Sequence, residues 1–232
     1  MNSVAQAVAG LMDLMFPEIC AGCNCLLSGS RHMLCVRCLN ELPRTGFEHQ
    51  VNNPVEKIFW GRVPTVAAMS LLYFTKGSML QNVMHALKYK GRAEVGTSFG
   101  RMMGEAISIS NRFQSITCIA PVPMHWQKKR KRGYNQAELL CDGMSQILKV
   151  PVAAELLVKT GTTDTQTFKT RTQRWENMRS RFTANTPHAT KQHVLLVDDV
   201  VTTGATLESC AAALLKENGI QVSIATLAFT LK

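Results

Sequence analysis

The chain has 232 residues, 46% of them hydrophobic, enough for one α/β domain of ordinary size with a small appendage. No stretch approaches the roughly 18 uninterrupted apolar residues of a membrane span, and no basic run or small-residue cleavage site opens the sequence, which argues against a spanning or secreted protein. Net charge is +10, from 26 basic and 16 acidic residues, a surplus that suits polyanionic partners such as phosphorylated metabolites or nucleic acid.

Val4, Val8, Leu11, Met12 and Met15 recur at helical spacing before Pro17, predicting a short amphipathic helix docked on the body. Five of the eight cysteines follow within nineteen residues. Cys20-Ala-Gly-Cys23 and Cys35-Val-Arg-Cys38 are two C-x-x-C pairs eleven residues apart. Two such turns present four sulfurs to one tetrahedral ion, which favours Zn2+ at Cys20, Cys23, Cys35 and Cys38 over a dithiol redox pair. Cys25 offers a C-x4-C alternative to Cys23. A closed site of this kind is structural, contributing folding energy to a segment too short for its own core. Residues 47–64 contain Asn52-Asn53-Pro54 and Gly61-Arg62-Val63-Pro64 without a clear period, and read as a connection.

Residues 66–74 are predicted as a strand and 79–87 and 92–109 as helices. A buried strand over 115–120 is halted by Pro121-Val122-Pro123. Helices are expected over 135–149 and 170–181, with a strand between them at 153–158. His193-Val194-Leu195-Leu196-Val197 is apolar without alternation, as a strand buried on both faces of a parallel sheet requires. A helix over 205–217 and a strand over 222–229 complete a βαβ unit, so the domain is α/β, with its ligand beyond the carboxyl ends of the strands.

The loop after residue 197 carries the chemistry. Asp198 and Asp199 repel each other unless cationic or hydroxyl partners arrive; sugar hydroxyls near a divalent metal supply both. Thr202, Thr203, Gly204, Ala205 and Thr206 then place three hydroxyls and successive N–H groups at a helix start, an anion site suited to a terminal phosphate. Gly204 allows close backbone approach, and Ala205 keeps the loop slim. A Walker A ending and a G-x-G-x-x-G turn are both lacking.

Eleven of the 26 basic residues lie in two stretches, 124–136 and 165–193. In the first, Lys128, Lys129, Arg130, Lys131 and Arg132 cannot sit in a core. They form a solvated turn, a nucleic-acid patch, or a mobile loop closing over a polyphosphate. In the second, Lys169, Arg171, Arg174, Arg179 and Arg181 surround Gln166, Gln173 and Asn177, a pattern open to a lid or anion-facing wall.

Residues 194–207 resemble the phosphoribosyl pyrophosphate motif of type I phosphoribosyltransferases, and are similar in detail to the orotate and amidophosphoribosyl branches. Thr202 stands where purine salvage enzymes place a carboxylate, which counts against that chemistry. Over nearly its whole length the chain resembles the ComF/GntX family of competence-associated proteins. The resemblance runs through Phe16-Pro17, the four-cysteine module, Leu87-Lys88-Tyr89-Lys90-Gly91, Pro121-Val122-Pro123 and Arg132-Gly133-Tyr134-Asn135-Gln136. It continues with Gln166, Arg171, Arg174 and Asn177 to the Asp-Asp motif; the extra Cys25 departs from it.

The resemblance implies a type I phosphoribosyltransferase-like parallel sheet flanked by helices over 65–232, behind an amphipathic helix and zinc module (1–46) and a connection (47–64). Phosphoribosyl pyrophosphate with Mg2+ is the implied ligand. Asp198 and Asp199 are the implied catalytic acids, at ribose and metal, and Thr202 through Thr206 hold the 5′-phosphate. Pro121, Val122 and Pro123 are implied to bind substrate, Arg130, Lys131 and Arg132 to face the pyrophosphate, and Arg171 and Arg174 to form a lid or anion-facing wall. The implied setting is cytoplasmic, in natural transformation, with single-stranded DNA and competence or helicase proteins as partners. An enzyme and a non-catalytic binding protein both fit; in the second, Trp126, Tyr134 and Trp175 stack bases. With the first 65 or so residues taken by module and connection, no glutaminase part is expected.

Overall fold

The computed structural model describes residues 18–27, 33–89, 92–160, 182–185 and 192–230. The amphipathic helix expected before Pro17 and the polar helix expected over 170–181 lie outside them.

Helix α1 (Val36–Asn40) starts at Cys35, whose sulfur accepts the Cys38 N–H. Helix α2 (Pro54–Phe59) has Pro54 in its first turn and Asn53 as its cap, the Oδ1 accepting from Val55 and Glu56 N–H at 2.9 and 3.1 Å. Asn53 is fully buried, and its amide donates to the Gln50 and Ala68 carbonyls at 2.9 and 2.8 Å. Glu56 pairs with Arg112, while Phe47, Val55 and Phe59 enter the core. The segment read as a patternless connection thus carries a capped helix and core side chains.

Next in chain order come β1 (Ala68–Phe74), α3 (Met79–Tyr89), α4 (Ala93–Ser108) and β2 (Cys118–Pro121). Helices α5 (Trp126–Arg132) and α6 (Gln136–Leu148) lead to β3 (Leu157–Lys159) and β4 (Phe182–Ala184). Strand β5 (Gln192–Val201), helix α7 (Ala205–Leu214) and strand β6 (Ile220–Thr230) close the domain. The main sheet is parallel with order β1-β6-β5-β2, and β3 and β4 form a separate antiparallel pair. The strand expected at 153–158 is reduced to β3, and Val152 makes only a bridge to Ile119.

The chain first moves outward from β1 to β2 and on through α6 to residues 151–153 beyond it, then returns through β5 and β6. Right-handed crossovers taken in opposite directions place α3, α4 and α6 on one face and α7 on the other. Helices α4 and α6 pack almost backbone to backbone, because a Cβ on Gly100 would stand 2.2 Å from the Leu140 carbonyl oxygen, and one on Gly143 2.2 Å from that of Thr97. The reversal of direction lies between β5 and β2, where such sheets leave a crevice beyond their carboxyl ends. Both edges of the sheet are occupied. Residues 43–45 run beside β1, with Thr45 N–H to the Leu71 carbonyl at 3.0 Å and Tyr73 N–H to that of Pro43 at 2.8 Å. Residues 151–153 run beside β2, through Ile119 N–H to Pro151 and Ala153 N–H to Ile119, at 2.9 and 2.8 Å.

Candidate functional site

Strand β5 does not stop before the aspartates. It pairs with β6 through Asp198↔Thr226, Val200↔Ala228 and Val201↔Phe229, so the acidic pair belongs to the strand and not to the loop expected from sequence. The long apolar β6 offers pairing partners past residue 197, and that extends β5. The Asp199 N–H donates to Asp198 Oδ1 at 2.8 Å. Burial, with Asp199 beside it, pushes the Asp198 carboxyl up to about 8. Asp199 has a cation: Lys88 Nζ lies 2.9 Å from its Oδ2. The repulsion evident in the sequence is therefore relieved in two ways, by a proton on one acid and an ammonium on the other.

The turn after β5 exposes Thr202, Thr203 and Thr206. Gly204 has φ +74°, in the left-handed region, and begins α7. A Cβ there would sit 2.5 Å from Ile58 Cγ2 and 3.0 Å from Phe59 Cε1. Glycine is required here by the wall of α2 behind the turn as well as by the backbone angle, a reason the sequence did not display. Arg62, just beyond α2, donates from Nη1 to the Thr203 carbonyl at 3.0 Å and lies 3.5 Å from Glu208 Oε2 in the first turn of α7.

Across the crevice, Pro121 sits level with Val197, and Val122 N–H donates to the Val197 carbonyl at 2.8 Å. Pro121 and Val122 are buried and Pro123 half-buried. The basic stretch that follows is helix α5, not the loop considered from sequence. His125 caps it, with Nδ1 accepting the Gln127 N–H at 3.3 Å, and Gly133 at φ +85° ends it. Lysine, arginine and glutamine are good helix formers, so these two stops suffice. Arg130 and Lys131 are exposed; Lys129 pairs with Glu138 at 2.7 Å, and Arg132 donates to Gln136 at 2.9 Å.

Three consecutive residues tie these parts together. Tyr134 Oη and Gln136 Nε2 donate to the Leu87 carbonyl at 2.9 and 3.4 Å, fixing the end of α3 that carries Lys88. Asn135 Nδ2 donates to the Val122 carbonyl at 3.0 Å, while its Oδ1 caps α6 through Ala137 N–H at 3.1 Å. Tyr134 thus has its hydroxyl tied to the frame and its ring half-buried, whereas Trp126 is 63% exposed. Arg171, Arg174 and Trp175 lie outside the described residues.

Away from this crevice, the sulfurs of Cys20, Cys23, Cys35 and Cys38 lie within 4.8 Å of one another. Tetrahedral zinc–thiolate bonds of about 2.3 Å put neighbouring sulfurs about 3.8 Å apart, and the Cys23 and Cys35 sulfurs are separated by 3.7 Å, so this cluster can hold a metal. Backbone N–H groups already face the sulfurs: Gly22 and Cys35 donate to Cys20 at 3.4 and 3.3 Å, and Cys38 to Cys35 at 3.5 Å. The Cys25 N–H holds the Cys23 thiol down at about 6, while the Cys23 thiolate beside it pushes Cys25 up to about 12. Cys23, not Cys25, belongs to the tetrad. The module is anchored by Asn82, whose amide donates to the Gly22 carbonyl at 2.8 Å, and by Met79 against Gly22.

Sequence reasoning assigned no role to Lys88, Arg62, Glu208 or Ile58. Lys88 stood inside a motif of the resembled family and Arg62 beside a turn glycine, but neither position announces its distant partner.

Residues 135–231 match the family described as Phosphoribosyl transferase domain. The chain is similar to the DNA utilization protein YhgH of Escherichia coli K12, 29% identical over 217 residues, covering 92% of this chain and 85% of that one. It is also similar to competence protein ComFC of Bacillus subtilis, 27% identical over 158 residues, covering 68% and 61%. Among solved structures, a glutamine phosphoribosylpyrophosphate amidotransferase from B. subtilis, complexed with ADP and GMP, aligns with a TM-score of 0.42 at 16% identity. It covers 61% of this chain and only 30% of that one.

Proposed function

We propose that the chain, which matches a phosphoribosyl transferase domain over residues 135–231 and is similar to YhgH and ComFC, is a ComF-family protein that binds phosphoribosyl pyrophosphate with Mg2+ in the β5–β2 crevice and acts in DNA uptake. The carrying observation is that the Asp198–Asp199 pair, the hydroxyl-bearing turn from Thr202 to Thr206 and the end of β2 open on the same edge of one parallel sheet.

In this reading the acidic pair takes the ribose 2′- and 3′-hydroxyls, and the turn and first N–H groups of α7 take the 5′-phosphate. Pro121 to Pro123 line the pyrophosphate side, with Arg130, Lys131 and Arg132 at hand to balance its charge. Bound Mg2+ supplies further neutralisation of the leaving pyrophosphate. Ligand entry requires Lys88 to give up or share Asp199, and hydroxyl donors in place of solvent draw the proton off Asp198. If the domain is active, a nitrogen nucleophile forms the new C1–N bond as the C1–O bond to pyrophosphate breaks. Charge builds on the departing oxygens, where exposed cations matter most. Zinc fits the four-cysteine cluster as a structural ion, and the setting is cytoplasmic. Arg171 and Arg174, with competence or helicase partners, complete this reading.

A second reading is favoured by α5. Exposed Lys128, Arg130 and Lys131 beside exposed Trp126 suit a single-stranded DNA backbone and one stacked base, without catalysis. Titration calorimetry separates the two. Saturable heat with phosphoribosyl pyrophosphate and Mg2+, lost in Asp199→Asn, supports the crevice. Oligonucleotide binding that weakens steeply with salt and disappears when Lys128 to Lys131 become alanine supports α5. Silence with phosphoribosyl pyrophosphate overturns the first reading.

A further inference from the structure

The turn that would hold the phosphate depends on which way one peptide faces. Gly204 accepts φ of either sign, so the Thr203–Gly204 peptide has two orientations open to it, one directing its N–H outward and one directing its carbonyl there. In a planar trans peptide the C=O and the following N–H point in opposite directions. Arg62 Nη1 holds the Thr203 carbonyl at 3.0 Å. The Gly204 N–H must then point away from Arg62, toward the open side of the turn.

Arg62 is itself fixed. Its N–H and that of Val63 donate to the Phe59 carbonyl at 3.0 and 3.2 Å, its guanidinium faces Glu208 at 3.5 Å, and Ile58 fills the space behind Gly204. Helix α2 behind it is held by buried Asn53 and by the Glu56–Arg112 ion pair. We infer that Arg62 is a positioning residue for the phosphate site: it locks the Thr203–Gly204 peptide so that the Gly204 N–H is preset to donate to the anion. This rests on the phosphate-site reading for its ligand, but not for the lock itself.

Arg62→Ala tests both parts. With ribose 5-phosphate as probe, calorimetry should read about tenfold weaker binding than in the parent chain. NMR relaxation dispersion should read new conformational exchange, as line broadening, at the Gly204 and Ala205 amides, with the core amides of β5 and β6 unchanged. Arg62→Lys, which keeps one donor, should reverse part of both changes, and Glu208→Gln should give a smaller change of each kind. Parent-like exchange and affinity in a folded Arg62→Ala chain would overturn the inference. If Arg62→Ala does not fold, the lysine and glutamine variants decide in the same way. A parent chain that fails to bind ribose 5-phosphate counts against the phosphate site, while the Gly204 exchange still decides whether Arg62 holds the peptide.

Discussion

The cysteine tetrad and the acidic pair both crowd groups that repel one another when ionised, yet the protein treats them differently. The four sulfurs come from one short stretch and converge within 4.8 Å, with backbone N–H groups already turned toward them. The two carboxylates are neighbours in the chain, but their relief comes from far away, through Lys88 on α3 and the burial that pushes Asp198 up to about 8. A closed cluster whose ligands all face one point is finished once an ion arrives, and it contributes to stability. An open pair balanced by a removable ammonium and a removable proton is prepared for exchange. On the proposed reading, the contrast is that between a structural metal site and one that receives a ligand.

The sharpest way to break this contrast is to remove a sulfur. Cys38→Ser should cost the module its bound zinc and its fold, read as loss of about one equivalent of metal and a large drop in thermal midpoint. A chain that keeps its midpoint without metal would place both clusters in the same class. Asp199→Asn should act in the opposite manner, abolishing binding of phosphoribosyl pyrophosphate with Mg2+ while the midpoint changes little. Gly204→Ala sits between the two extremes. Its positive φ and the contact with Ile58 should cost about 1–3 kcal/mol in denaturant unfolding and also weaken phosphate binding.

Smaller effects sharpen the comparison. Asp198 titrates near 8 when folded but near 4 when unfolded, so between these values the folded chain holds the extra proton. Stability contributed by this group therefore falls as pH rises from about 4 to about 8 and is level above that. Asp198→Asn should be no more stable than the parent at pH 4 and clearly more stable at pH 8; an advantage independent of pH would contradict the burial argument. Cys25→Ser should be the mildest change, keeping one equivalent of zinc, because Cys25 lies outside the tetrad.

Much of this was legible in the residues, wherever the determining interactions are local. Two C-x-x-C turns announce a four-sulfur site, the apolar run before Asp198 announces a buried strand, and Gly204 followed by Ala205 announces a helix start. What was hidden is short or non-local. Helix α2 is six residues, too few to display a period, and its evidence is a buried cap, Asn53. Helix α5 is nearly all cation, so hydrophobic periodicity is silent, although His125 and Gly133 marked its ends. The Lys88–Asp199 and Arg62–Thr203 contacts join residues more than a hundred positions apart, and only the sheet order brings them together.

The occupied margins of the main sheet carry a consequence for assembly. Residues 43–45 and 151–153 already take hydrogen bonds on the outer sides of β1 and β2, so a foreign strand that pairs with β1 or β2 at those positions must displace one of them. Recruitment by strand addition is thereby disfavoured, and so is runaway self-association through these margins. A partner that docks on a helical face or against the cysteine module need break no backbone hydrogen bond of these margins.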